Sequence, residues 1–463
     1  MTDFKTKSQV WEDWIENTLL ADIEATDTPD PVPMVDESGS ELEMTEKYDS
    51  YRLGRGNGDY LYMLYLLNDP GEEPTDILPV YIGETSNTAS RLRDHLRRLR
   101  DAIPISEWED DGSWGSFGKY DHIATVYTRA ESPLYAWVID VSNIDNGPYG
   151  YPTYREELEA KMVGLAHSHP QFTRILANRD FVPNRVPNEM GRVGTDWVDL
   201  TNDAPNEEAE IMARTERREL NGETKEDLWH DWVEQTIYQE IEDPDEEDPI
   251  PLFETDSDLV VELKESGSST VLKRSDALDA RIRKEGKRCV YDEGVRDDGS
   301  NGLLYIMYQL ASSDPTPADI IPRYIGKGEA YGKKNELSAN FEEIAKDLSG
   351  TRSFGRWGDG SYWHVGELSD TIFGEDSKKL SWASELFEQG THQLKDQTYL
   401  WIRAWDPEQY LGPYGYPAYL AEVEALLIGL VYETYPDQLL NHKEVPNEAP
   451  ANQKQFQFQE VPE

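Results

Sequence analysis

Apolar residues at Val10, Trp11, Trp14, Ile15 and Leu19 fall at helical spacing, so the pattern predicts an amphipathic helix near the start of the chain. The same spacing returns at Leu228, Trp229, Trp232, Val233 and Ile237. The tryptophans are expected to pack onto their domains, with base stacking the lesser alternative. An acidic, proline-containing stretch ends each pattern, Asp27 to Pro33 and Asp243 to Pro251. Dense apolar and aromatic runs then predict strands over Tyr60–Leu66 and Leu303–Tyr308. After a turn (Asp69-Pro70-Gly71 in the first case) a second short strand closes on Tyr81-Ile82-Gly83 or Tyr324-Ile325-Gly326. The first series continues with a basic helix, Ala89 to Arg100, and a Gly/Trp/Ser region. A strand, Tyr135 to Val141, and a helix, Tyr154 to Ala166, complete it.

These two series are copies. Gly147-Pro148-Tyr149-Gly150-Tyr151-Pro152 recurs letter for letter as Gly412-Pro413-Tyr414-Gly415-Tyr416-Pro417. A glutamate follows each in a helical pattern, Glu159 and Glu424. Asp76 to Gly83 matches Asp319 to Gly326, and Trp11-x-Asp13-Trp14-x-Glu16 matches Trp229-x-Asp231-Trp232-x-Glu234. Spacings are longer in the second copy, which therefore carries insertions. The expected organisation is α+β: a first domain over 1–189, a linker over 190–222, a second domain over 223–450 and a frayed tail over 451–463. Each domain is a small antiparallel sheet flanked by helices.

Composition changes the picture in one respect. The 463 residues carry 92 acids against 44 bases, a net charge of −48. Such a chain repels itself, and molar salt relieves the repulsion by shortening the screening length to about 3 Å. The expectation is a soluble protein of the salt-rich cytoplasm of a halophile, or of its virus. The acidity excludes a basic face over most of the surface, so any nucleic-acid contact is local or made at high salt. One cysteine, Cys289, excludes an intrachain disulfide and a multi-cysteine zinc site. Met1 to Val10 is polar, without a signal-peptide core, and no apolar run reaches the roughly 20 residues that span a bilayer.

The order of motifs resembles the GIY-YIG nuclease superfamily, whose core is a three-stranded antiparallel sheet flanked by helices. Tyr60-Leu61-Tyr62 stands where the first family motif would; its glycine is replaced, but Tyr62 is kept. Tyr81-Ile82-Gly83 is an intact second motif. Arg91 and His95 share a face of the basic helix. Glu159 matches the metal-ligand helix, and Pro170 with Asn178 matches the closing pattern. The resemblance implies an endonuclease that hydrolyses DNA phosphodiesters. Glu159 would hold one Mg2+ or Mn2+ ion, and Arg91 would clamp the phosphate. Tyr62 or Tyr81 would position or deprotonate the attacking water, with His95 assisting. Gly83 would let the backbone approach the phosphate, and Asn178, Arg93 and Arg97 would add substrate contacts.

Each residue also has a plainer reading. Tyr62 suits a core, His95 a helix surface, and the arginines Arg91, Arg93, Arg97, Arg98 and Arg100 a solvated face paired with acids. The second copy keeps Tyr305, Tyr324, Glu424 and Asn441. Alignment puts Glu336 at the arginine position and Asn340 at the histidine position, or Lys334 by a straight count from Gly326. This copy is expected to be degenerate. The tyrosines of the shared turn either fix a helix entry or flank a nucleic-acid groove. His167-x-His169 is a weak metal pair. Two alternatives stand beside the nuclease: a catalytically inactive nucleic-acid-binding or assembly protein on the same scaffold, and an acidic DNA mimic.

Overall fold

The computed structural model describes residues 5–25, 31–35, 58–68, 73–102, 118–130, 132–169, 171–173, 175–182, 224–244, 248–266, 269–292, 295–296, 302–331, 337–338, 341, 357, 363–374, 377–454 and 456–458. They build an α+β protein from helices and small antiparallel sheets. Two compact units result. One takes Met1–Glu219, Lys333–Asn335 and Tyr414–Ala425; the other takes Leu220–Gly332, Glu336–Pro413 and Leu426–Glu463.

In the first unit, the opening helix Lys7–Ile15 starts from a capping box in which Thr6 and Gln9 satisfy each other's backbone N–H groups. It buries Trp11 and Ile15 completely, and a π-turn (Glu16–Leu20) and a last helical turn (Ala21–Glu24) follow. Four antiparallel strands, β1 (Val32–Val35), β2 (Tyr60–Leu67), β3 (Ile77–Thr85) and β4 (Leu134–Asp140), lie in the order β1-β4-β2-β3. β2 is the central strand, which is why its run is apolar on both faces. β1 takes in Val32 and Pro33 from the stretch expected to end the first helix: it is an edge strand, where Pro33 costs no interior ladder bond. Three helices complete the unit. We call them the arginine helix (Thr88–Arg100), the lysine helix (Lys119–Ala130) and the glutamate helix (Arg155–Ser168).

The exposed edge of β3 is covered by the extended segment after the glutamate helix. Ala177 N–H donates to Val80 C=O at 2.7 Å, and Asn178 holds both backbone groups of Ile82, at 2.9 and 2.7 Å. A β-bulge just after Pro79 makes this possible by turning Val80 out of the β2 ladder.

Tyr414–Ala425, assigned from sequence to the second domain, belongs to this first unit. The reason is buried polar chemistry. Tyr414 donates to Glu157 Oε1 at 2.7 Å, Lys161 pairs with the same carboxylate at 2.8 Å, and Lys7 pairs with Glu422 at 2.6 Å. Gly164 makes room for that last pair, since a Cβ there would stand 2.2 Å from Glu422 Oε1.

The second unit repeats the plan. A capping box at Thr224 starts the helix Lys225–Val233, and a π-turn follows at Glu234–Tyr238. Before its sheet this unit contains the hairpins β5–β6 (Leu263–Ser266, Ser269–Leu272) and β7–β8 (Tyr291–Asp292, Val295–Arg296). It also contains the helix Asp276–Arg288. The sheet is β9 (Gly302–Leu310), β10 (Ile320–Glu329) and β11 (Thr398–Ala404), in the order β10-β9-β11. The bulge returns between Pro322 and Tyr324, and Leu440 N–H donates to Arg323 C=O at 2.7 Å. Residues 451–458 are not the frayed tail expected. Pro450–Gln453 is a helical turn, Lys454 donates to Asp437 C=O at 2.9 Å, and Phe458 packs on the core. The expected linker, 190–222, lies outside the described residues, as does the Gly/Trp/Ser region.

The Lys7–Glu422 pair generates a stability test, because removing one buried charge strands the other. Glu422→Gln is expected to lose about 3–5 kcal/mol of unfolding free energy in urea titrations at molar salt. A loss under about 1 kcal/mol would show that Lys7 is not buried against this carboxylate.

Candidate functional site

The site grows from a cross-strand pair. Tyr62 on β2 stands opposite Gly83 on β3. Its ring lies across the glycine so closely that a Cβ at position 83 would be 2.4 Å from the tyrosine oxygen. Tyr62 therefore requires a glycine at position 83, a packing role that the sequence did not announce.

Tyr62 is fully buried, and its hydroxyl is a junction. Arg91 Nε donates to it at 3.1 Å, and the His95 Nε2 atom lies 2.8 Å away. Both partners come from the arginine helix. Asn87 caps that helix by accepting from Ser90 N–H at 3.0 Å, and Leu92, Leu96 and Leu99 anchor its inner face. The helical spacing of Arg91 and His95 then aims both at one oxygen. Tyr81 closes the group: its ring centroid is 6.1 Å from Tyr62 and 5.3 Å from His95.

Glu159, on the glutamate helix, is half-buried, and its charge acts on the Tyr62, Tyr81 and Lys119 side chains. Arg155 steadies the start of that helix through Glu84 at 2.6 Å and Asp59 at 3.1 Å. The first unit thus brings Tyr62, Tyr81, Arg91 and His95 together, with Glu159 near enough to act on both tyrosines.

Lys119 and Tyr120 also face this group, and no motif announced them. Lys119 Nζ donates to the Tyr81 hydroxyl at 3.2 Å and sits 4.3 Å above the Tyr81 ring. Tyr120 stands 5.6 Å from His95, with Arg98 over its outer face at 5.6 Å. The apolar pattern of Ile123, Ala124 and Tyr127 signals the helix, but nothing in it marks the lysine.

Electrostatics follow from burial among cations. Burial, then the neighbouring Tyr81, pushes the Tyr62 hydroxyl far above the usual phenol range. Burial, then the Glu159 charge, pushes Tyr81 up to about 12. Burial, then Lys119 and Arg91, pushes His95 down to about 3. Burial, then Arg91, lowers Lys119 to about 8. His95 is therefore neutral near pH 7, its Nε2 sharing one hydrogen bond with the Tyr62 hydroxyl.

Arg93 and Arg97 lie outside this group. With Asn87, Ser90 and Arg91 they line an open cleft of about 490 Å³ at the start of the arginine helix. Arg97 pairs with Asp94 on its own helix, as does Arg98 at 2.9 Å. Asn178 has a different task from the substrate contact expected: its amide is spent on the Ile82 backbone. Pro170 lies outside the described residues. His167 is buried edge-on to Tyr419 and His169 stacks on Phe172 at 3.9 Å, so both pack rather than converge. The shared turn is also packing. Tyr414 and Tyr416 are buried, Tyr149 stacks on Tyr414 at 4.7 Å, and Tyr149 and Tyr151 are half-buried. Gly150 adopts a positive φ of 85°, which explains the glycine in that turn.

In the second unit Tyr305 lies over Gly326 in the same way. Its hydroxyl donates to Lys327 C=O at 3.2 Å and meets His364 Nε2 at 3.3 Å. The histidine comes from the helix Trp363–Ile372, not from the aligned position. Two buried tryptophans fill the surrounding space: Trp382 is 4.8 Å from Tyr324, and Trp357 is 4.9 Å from His364. Asn441 braces Ile325 at 3.1 and 2.9 Å, as Asn178 braces Ile82. Glu424, which falls in the segment Tyr414–Ala425 of the first unit, is half-buried on the helix Leu420–Thr434. Lys334, Glu336 and Asn340 lie outside the described residues.

The depressed His95 pKa has a pH consequence. The unfolded histidine takes a proton below about pH 6.5, whereas the folded one waits until about 3. The stability contributed is full above about pH 6.5 and falls as pH drops toward 3. His95→Gln is expected to reduce the stability loss between pH 7 and pH 5 by about 2 kcal/mol, read from urea midpoints. An unchanged pH dependence would mean that His95 is solvated.

No protein-family model matches the chain, and no curated protein or solved structure is significantly similar to it.

Proposed function

We propose that the first unit is a GIY-YIG-type endonuclease that hydrolyses phosphodiester bonds of DNA with one divalent cation. The second unit is a copy that has lost the chemistry. The observation that carries this reading is the shared Tyr62 hydroxyl, held between Arg91 Nε and His95 Nε2, with Tyr81 and the Glu159 charge beside it.

Each residue then has a task. Tyr62 is committed to its two partners and fixes the Arg91 guanidinium. The guanidinium's terminal nitrogens can take two phosphate oxygens, as its planar fork suits. Tyr81, less deeply placed, holds the attacking water at its hydroxyl. His95 keeps Tyr62 oriented rather than moving protons, because it is neutral and enclosed.

Glu159 is the residue that would hold the cation. One half-buried carboxylate suits Mg2+ or Mn2+, which keeps several waters. Among the described residues no group of three His, Cys, Asp or Glu side chains gathers around a point, and a one-carboxylate site requires none. When bound, the cation neutralises a phosphate oxygen and the departing 3′ oxygen. The substrate side is the cleft of Arg91, Arg93 and Arg97, a local cationic face on an acidic chain. Among the described residues no helix is long and apolar enough to cross a membrane.

One observation favours a second reading, a nucleic-acid-binding scaffold without catalysis. Both tyrosine hydroxyls are held protonated by burial, which opposes their action as bases. Nicking of supercoiled plasmid in roughly 2–3 M KCl with Mg2+ separates the two. The nuclease reading expects cleavage by the parent, a loss of about 100-fold or more in Arg91→Ala and in Glu159→Ala, and little change in Glu424→Ala. Retained cleavage in Arg91→Ala contradicts the assignment, and DNA binding without cleavage in the parent selects the scaffold.

A further inference from the structure

Lys119 is unused by the motifs, yet it is bonded to a site hydroxyl. It opens the lysine helix, and its nitrogen both donates to the Tyr81 oxygen at 3.2 Å and lies 4.3 Å over the Tyr81 ring. The groups facing it are Tyr81 from β3, Arg91 and Arg98 from the arginine helix, and Tyr120 from its own helix. His95 from the arginine helix, Glu159 from the glutamate helix and Asp180 from the covering segment complete the set. Burial, then the two arginines nearby, penalises an ammonium here, and Asp180 and Glu159 offset only part of that cost. A lysine kept at such a cost, with its nitrogen on a hydroxyl rather than in solvent, points to a task at that hydroxyl.

We propose that Lys119 is a positioning residue for Tyr81: its ammonium orients the hydroxyl and favours negative charge on the Tyr81 oxygen during proton transfer from the attacking water. This deepens the nuclease reading and rests on it. In the step concerned, the Tyr81 oxygen enters as phenolate. One water O–H bond breaks, and its proton joins that oxygen. The remaining hydroxide forms a bond to phosphorus as the bond from phosphorus to the 3′ oxygen breaks, and the leaving oxygen takes its proton from solvent. The ammonium keeps its own proton throughout. A cation 3.2 Å from that oxygen acts against burial and the Glu159 charge, which hold Tyr81 protonated up to about 12 with the lysine in place. The second unit offers a contrast. There Lys379 lies 4.0 Å over Trp382 and only 5.7 Å from the centre of the Tyr324 ring, a cation resting on packing.

The test uses the full chain with 3-nitrotyrosine in place of Tyr81, whose ionisation is read in the visible spectrum, and in parallel the unlabelled chain in the nicking assay. Lys119→Met is expected to raise the ionisation pH of the reporter by about one unit. It should also lower kcat by about 10-fold, with KM held within about twofold. Lys119→Arg, which keeps the charge, is expected to restore most of both. Far-UV circular dichroism checks folding, and Lys119→Gln replaces the methionine variant if that one does not fold. A reporter that does not move in the neutral variant overturns the proposal, as does a moved reporter with unchanged kcat. If the parent does not nick DNA, the nuclease reading fails by itself, and Lys119 loses its proposed role in the reaction; a reporter shift then shows only its electrostatic hold on Tyr81.

Discussion

The first unit's site depends on one hydroxyl. Tyr62 carries its oxygen from the central strand, over a glycine on the next strand, to the point where Arg91 and His95 descend from one helix. A buried phenol oxygen with two partners ties the arginine helix to β2, since leaving any of these groups unpaired costs about 1–3 kcal/mol. The glycine is the other half of the arrangement: any side chain at position 83 meets the tyrosine. This cross-strand pairing of tyrosine with glycine recurs in the second unit as Tyr305 over Gly326, so it belongs to the duplicated scaffold rather than to the chemistry alone.

The second unit separates scaffold from chemistry. It keeps the bulge after the proline, the asparagine brace, the tyrosine over glycine and a histidine on the tyrosine oxygen. The space beside Tyr324 holds Trp357 and Trp382, both buried. Large aromatic side chains stabilise by burial of apolar area, and these two pack against the rings of Tyr305, Tyr324 and His364. A fold that tolerates this exchange does not need the polar cleft for its own stability.

Much of the fold was legible because the chain repeats itself. The central strand, the strand ending in Tyr81-Ile82-Gly83, the arginine helix and the glutamate helix all fall within a residue or two of their predicted bounds. Arg91 and His95 were placed on one face by spacing alone. What was not legible depends on contacts across the fold. β1 was hidden in a proline-rich stretch because an edge strand needs no apolar run. Lys119 and His364 come from helices that no motif marks. Asn178 looked like a substrate contact, but its amide matches an unpaired strand edge, as that of Asn441 does in the second copy, and nothing local distinguishes the two uses. Tyr414 and Tyr416 read as exposed because they sit in a turn, yet they are buried by partners far away in sequence.

The central claim is that the Tyr62 hydroxyl, through Arg91, sets up phosphate chemistry. Tyr62→Phe removes a single oxygen and leaves the ring over Gly83. The direct measurement is its plasmid-nicking rate in molar salt with Mg2+, relative to the parent. The account predicts a fall of about 100-fold, on the scale of losing a preorganised donor, in a protein that remains folded. A nicking rate equal to the parent's would contradict it.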